Sequence, residues 1–159
     1  MNARLDYPRF RALAPATAAA LVAISKEAKD AGLDPALLEL VKIRASQING
    51  CSFCLHMHVS DARRMGETAE RLDLVAAWRE APVYTARERA ALAWTESLTL
   101  VHDSHVPDAD YEVVRQQFDE DELAALTAAV VAINGWNRIA VAYRFAPAIA
   151  AAPAARAAE

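Results

Sequence analysis

Alanine outnumbers glycine 38 to 4 along this 159-residue chain, and its apolar residues recur at helical rather than alternating spacing. Alanine gives up no side-chain entropy in a helix, whereas each interior glycine costs about 1 kcal/mol. No stretch shows the period-2 alternation of a half-buried strand. The apolar run Val130-Val131-Ala132-Ile133 sits inside a helical pattern. The fold class expected is therefore all-α, with about seven helices in one compact domain.

Capping signals place those helices. The first is expected from near Pro15 to Ala31. The second opens on Asp34-Pro35 and closes at Asn49-Gly50, and the third runs from near Cys51 to Met65-Gly66. A fourth covers about Thr68 to Trp78. The fifth opens on Thr85 with Glu88 three residues later, a capping box, and reaches about Val101. His102 to His105 reads as loop. The sixth helix spans about Asp108 to Phe118, and the seventh opens on Asp119 with Glu122 and extends to Tyr143. Gly32, Gly50 and Gly66 fall where helices end, whereas Gly135 lies inside the last one. Residues 1–146 form the expected domain. The Ala/Pro-rich tail, 147–159, is expected to be poorly ordered.

Size and charge exclude several classes. A chain of this length buries a core without metal or disulfide staples. Apolar residues make up 55% and charged residues 24%, which excludes a disordered chain. The net charge is −4 and the basic residues are scattered, so the phosphate-neutralising patch of a nucleic-acid binder is missing. No apolar run approaches a membrane span. Arg4, Arg9 and Arg11 ahead of Ala12 to Ile24 imitate a signal peptide, but Pro15 and the continuation into Lys26, Glu27 and Lys29 fit an amphipathic helix better. A cytoplasmic location is the expectation, with no membrane or nucleic-acid partner.

The chemistry concentrates in Cys51-Ser52-Phe53-Cys54-Leu55-His56-Met57-His58. On a helix, Cys51, Cys54, Leu55, His58, Ala62 and Met65 share one face, and His56 lies on the other with Arg63. Cysteines in a first helical turn feel unsatisfied N–H groups and the positive end of the dipole, and both favour thiolate. A histidine one turn after Cys54 can hydrogen-bond its sulfur and accept its proton. Two cysteines three residues apart can close a disulfide with little movement. The set suits a thiolate that attacks an oxidant, becomes a sulfenic acid and is resolved by its neighbour.

Glu39, eleven intervening residues and then C-x-x-C-x-x-x-H at Cys51, Cys54 and His58 form a pattern that resembles the alkylhydroperoxidase D-like proteins of the carboxymuconolactone decarboxylase superfamily. Arg44-Ala45-Ser46, Thr85 to Ala91 and Asn134 to Arg138 add weaker matches, so the likeness covers about residues 30–145. The resemblance implies a small all-α fold assembled into homo-oligomers, often trimers or hexamers, that reduces peroxides through the cysteine pair. By position, Cys54 would be the peroxidatic thiol and Cys51 the resolving one. His58 would deprotonate Cys54, and Glu39 would complete a proton relay. Phe53 stands where some members have a histidine. The partners implied are a small peroxide and an external dithiol reductant of thioredoxin or lipoyl type. No cofactor is expected, because flavin, haem and nicotinamide signatures are absent.

Other readings stay open. Cys51, Cys54 and His58 with His102 or His105 could supply four zinc ligands, although no second C-x-x-C accompanies them. A structural oligomer, or a cofactor-free decarboxylase or hydrolase on the same fold, would use the scaffold without the thiols. Glu39 on helical spacing alone reads as a solvated side chain, opposite the stripe of Leu37, Val41 and Ile48. A functional Glu39 requires its helix to be covered on both sides. Arg44 projects into that stripe and reads as a snorkelling side chain. His56, His102 and His105 read as surface residues, and Trp78, Trp94 and Trp136 as packing.

Overall fold

Prolines open the first three helices, where a missing N–H costs nothing and the fixed φ is already helical. The computed structural model describes residues 2–149. In α1 (Tyr7–Leu13) the Asp6 carboxylate caps the start by accepting the Arg9 N–H at 2.8 Å. Ala14 precedes Pro15 and is pushed out of the helical region, which separates α1 from α2 (Pro15–Asp30). The expected first helix is therefore α2, and α1 is an additional one. Asp34 caps α3 (Pro35–Ile48) by accepting the Ala36 N–H at 2.9 Å. Cys51 caps α4 (Ser52–Arg64). After α5 (Ala69–Leu74) comes a 3₁₀ turn, Val75–Ala77, and then α6 (Ala86–Thr99), whose Thr85/Glu88 capping box is formed in both directions.

The expected loop at His102 is instead a helical turn, α7 (Val101–Ser104), ended by His105 at a φ of 50°. Next come α8 (Asp108–Arg115) and α9 (Glu120–Tyr143), the latter opened by a complete Asp119/Glu122 capping box. Among the described residues there are nine α-helices and no strand. Residues 147–149 carry no helix. The rest of the tail expected to be poorly ordered, 150–159, lies outside the described residues.

The position of α3 shapes the site. It packs on α4, α6 and α9, so Leu37, Leu38, Leu40, Val41 and Ile43 are all buried regardless of the face they occupy. Each fully buried side chain of this kind contributes about 1.5–3 kcal/mol. Glu39 and Lys42 are drawn inside with them.

The companion of α3 is α9, with 24 residues and a mean hydropathy of 1.3 in its most apolar window, long and apolar enough to cross a membrane by length and composition. That departs from the expectation that no run approaches a span. Leu123, Leu126, Val130 and Ile133 of α9 nevertheless lie in the core, and its first turn carries Glu120, Asp121 and Glu122. α2 packs closely along α9 because Gly135 has no side chain. A Cβ there would sit 2.8 Å from Leu21 Cδ2. At the end of the molecule nearest α1, Tyr7, Phe10, Phe53, Trp136 and Phe145 cluster edge to face and tilted around the two cysteines.

Candidate active site

Gly50, at a φ of 63°, turns the chain from α3 into α4, so the two cysteines begin the helix that follows. As N-cap, Cys51 uses sulfur where serine or aspartate would use oxygen. Its Sγ accepts the Cys54 N–H at 3.4 Å. Both cysteines are buried and free. The Cys54 side chain beside it lowers the Cys51 thiol by more than burial raises it. With the Cys54 and Phe53 amides and Asn137 adding to it, the Cys51 thiol falls to about 7. Cys54 is pushed up by the Cys51 side chain, by burial and by the neighbouring charge of Cys51. Of the two thiols, Cys51 is the one pushed toward ionisation and Cys54 the one held protonated. The reason is geometric: only the N-cap sulfur can collect the amide hydrogens of the helix start.

Glu39 arrives from α3 and is 3% exposed. Its Oε1 accepts from Lys42 Nζ at 2.7 Å, and its Oε2 lies 2.8 Å from His58 Nδ1. Burial alone would raise the carboxyl, but the hydrogen bond to His58, the Lys42 ammonium and the charge of His58 together hold it below the ordinary range. An ionised carboxylate can only accept. Nδ1 of His58 therefore carries the proton, and in the neutral ring Nε2 is left as acceptor. This is the buried Glu39 that requires α3 to be covered on both sides, and it is. The expected hydrogen bond from His58 to the Cys54 sulfur is not formed. Among the described residues the only side-chain hydrogen bond of His58 is to Glu39.

Asn137 of α9 falls within the flanking match Asn134 to Arg138, and it is 0% exposed and acts on both thiols. Its Oδ1 accepts from Asn49 Nδ2 at 2.9 Å, and its Nδ2 donates to Ser46 Oγ at 3.1 Å. The Asn137 side-chain amide lowers both thiols. Ser46 and Asn49 share a helical i, i+3 spacing, but Asn137 lies 88 residues from Asn49 and no local signal in the sequence points to it.

A cavity of about 380 Å³ opens beside this cluster, with Cys54, His58, Phe53, Trp136 and Phe145 among the residues on its wall. Cys51 does not line it. Cys51 borders a second cavity of about 290 Å³, with Gly50, Ser52 and Arg144. The two cysteines therefore border different openings while joined by the hydrogen bond from the Cys54 N–H to Cys51 Sγ.

The residues expected elsewhere sort plainly. His56 is half-buried, and His102 and His105 are exposed. Neither cysteine belongs to a cluster of potential metal ligands among the described residues. The one such cluster, with ligand atoms within 4.8 Å of one another, is Glu39, His58 and Asp61. Both Glu39 oxygens there are engaged by Lys42 and His58, so a cation would have to displace an ammonium. Arg44 does not snorkel. Its Nε donates to buried Glu96 at 2.7 Å, within the same chain, and Glu96 also accepts from Trp78 Nε1 at 2.8 Å and from Arg79. Trp94 donates to Thr127 at 3.0 Å.

Comparison with known proteins agrees with this architecture. Residues 15–97 match the model of the carboxymuconolactone decarboxylase family. The uncharacterized protein YdfG of Bacillus subtilis (strain 168) is 40% identical over 142 residues, covering 89% of this chain and 95% of YdfG. The structure of ATU0492 from Agrobacterium tumefaciens, a protein of unknown function offered as a candidate antioxidant defence protein AhpD, superposes with a TM-score of 0.86 at 37% identity. It covers 94% of this chain and 100% of that one. An alkylhydroperoxidase AhpD core, an uncharacterized peroxidase-related protein from Ralstonia eutropha JMP134, shares the fold with a TM-score of 0.71 at 24% identity, over 87% of this chain and 74% of its own. With this fold and these relatives, the chain belongs to the carboxymuconolactone decarboxylase family, among its alkylhydroperoxidase D-like members.

Proposed function

We propose that this protein is a thiol-dependent peroxidase. The observation that carries the reading is the joint position of Cys54 and His58 on one cavity wall, with Cys51 hydrogen-bonded to the Cys54 N–H from behind. A peroxide in the cavity meets Cys54. The Cys54 proton passes to the Cys51 thiolate, or to Nε2 of His58, and the ionised Cys54 sulfur attacks the distal peroxide oxygen. The O–O bond breaks, the departing oxygen takes a proton held by the site, and water or an alcohol leaves. Cys54 is now a sulfenic acid. Cys51, as thiolate, then attacks the Cys54 sulfur, hydroxide leaves as water with a proton from solvent, the one Cys51 gave up on ionising, and a disulfide remains. Two thiols and one hydroperoxide thus give one disulfide, one alcohol (water when the peroxide is H₂O₂) and one water.

Glu39 fixes the tautomer and orientation of His58 and stabilises the imidazolium if the ring takes the proton. An external dithiol of thioredoxin or lipoyl type would reopen the disulfide by attack at Cys51, the sulfur on the second opening. The homo-oligomer implied by the resemblance belongs to this reading, and light scattering of the purified protein tests it. The reading is tested by hydroperoxide consumption with excess dithiol. Cys54→Ser abolishes it, and Cys51→Ser traps a sulfenic acid that dimedone labels. A decarboxylase or hydrolase that does not use the thiols would keep its activity in both variants.

A further inference from the structure

The wall of the cavity beside Cys54 is uneven in charge. Its interior is apolar and aromatic, while Lys26, Lys29 and Lys42 all border it and no carboxylate does. Lys42 is committed to Glu39. Lys26 pairs with Asp30 on the exposed side of α2, and Lys29 has no ion pair among the described residues. The two α2 lysines are exposed and the sulfur is buried, so the charge sits at the mouth and the reactive atom at depth. The volume of about 380 Å³ exceeds what hydrogen peroxide needs and falls among small-molecule sites, roughly 300–1,000 Å³.

We propose that the cavity is built for an amphipathic anion: an organic hydroperoxide whose apolar body lies against Phe53, Trp136 and Phe145 and whose carboxylate stays at the mouth with Lys26 and Lys29. This deepens the peroxidase reading by naming its substrate class, and as a substrate assignment it rests on that reading. The ligand class itself is tested without turnover. Trp136 borders the cavity, so its fluorescence reports occupancy by an unreactive probe.

The experiment titrates decanoate and methyl decanoate into the full-length protein and follows tryptophan emission. Decanoate is expected to quench it and to bind roughly three- to tenfold more tightly than the uncharged ester, the range two exposed ion pairs supply. Trp136→Phe should remove the signal. K26A/K29A, altered at two exposed positions, should reduce the acid-to-ester ratio to about one. Equal affinity for acid and ester in the unaltered protein overturns the proposal. So does a preference that survives in K26A/K29A, a signal that survives Trp136→Phe, or the absence of any quenching. Failure of the peroxidase assay with intact anion binding would remove the peroxidase reading and leave the cavity assignment standing.

Discussion

Glu39 Oε2 lies 2.8 Å from His58 Nδ1, across 19 residues of sequence and inside the core. The same carboxylate binds Lys42 at 2.7 Å, so one buried anion holds two potential cations in place. Such an arrangement is costly to break from one side, because the remaining charge is left buried and unpaired. Glu39→Ala is expected to destabilise the fold by about 3–5 kcal/mol, read from denaturant unfolding. Glu39→Gln keeps the shape but loses the charge that orients the imidazole. If His58 is the base, hydroperoxide turnover should fall about 10²–10⁴-fold with the protein still folded.

The acid limb of stability follows from the same carboxylate. Its pKa is held below the ordinary value in the folded protein. Its contribution is therefore fully present above the unfolded carboxylate range and is lost as pH falls through the lower, folded value. Unfolding free energy measured from pH 6 downward should decline, and Glu39→Gln should make that decline shallower. An unchanged acid limb in the variant would contradict the assignment.

Cys51 should titrate near neutrality. Its thiol lies at about 7, chiefly because of the Cys54 side chain beside it. Thiolate absorbance, or alkylation rate against pH, should rise through that value. In Cys54→Ala that thiol is gone and the midpoint should move up toward an ordinary thiol, near 8.5. Cys51→Ala should let the Cys54 thiol fall, because the side chain and the charge that raise it are removed.

Asn137→Ala removes a side-chain amide that lowers both thiols and leaves Asn49 without one acceptor. The Cys51 midpoint should rise, and stability should fall by about 1–3 kcal/mol. Glu96→Gln serves as a contrast. It weakens the cluster of Arg44, Trp78 and Arg79 and should lower stability while leaving the thiol titration unmoved.

Most of the helices were readable because caps are local. Asp34, Thr85 and Asp119 each bond the amides that their spacing implies. What escaped depends on what packs next to what. α1 is short, and its amphipathic signal merges with the start of α2 across Ala14-Pro15. α7 is a single turn whose end requires His105 in a left-handed conformation. Glu39 could be picked out only through family spacing, since nothing along α3 says that α4, α6 and α9 will enclose it. Arg44 was misjudged because its partner, Glu96, lies 52 residues away. The cysteine motif located the chemistry. Which thiol is pushed toward ionisation depends on the N-cap hydrogen bonds and on Asn137, which spacing does not reveal.

The measurement that bears most directly on the account is the intact mass of the protein after one equivalent of an organic hydroperoxide, with reductant removed. The account predicts that the unaltered protein loses two hydrogens, that Cys51→Ser gains one oxygen at Cys54, and that Cys54→Ser keeps its mass. An unchanged mass in the unaltered protein, or oxygen gained in Cys54→Ser at the rate seen for Cys51→Ser, would contradict it.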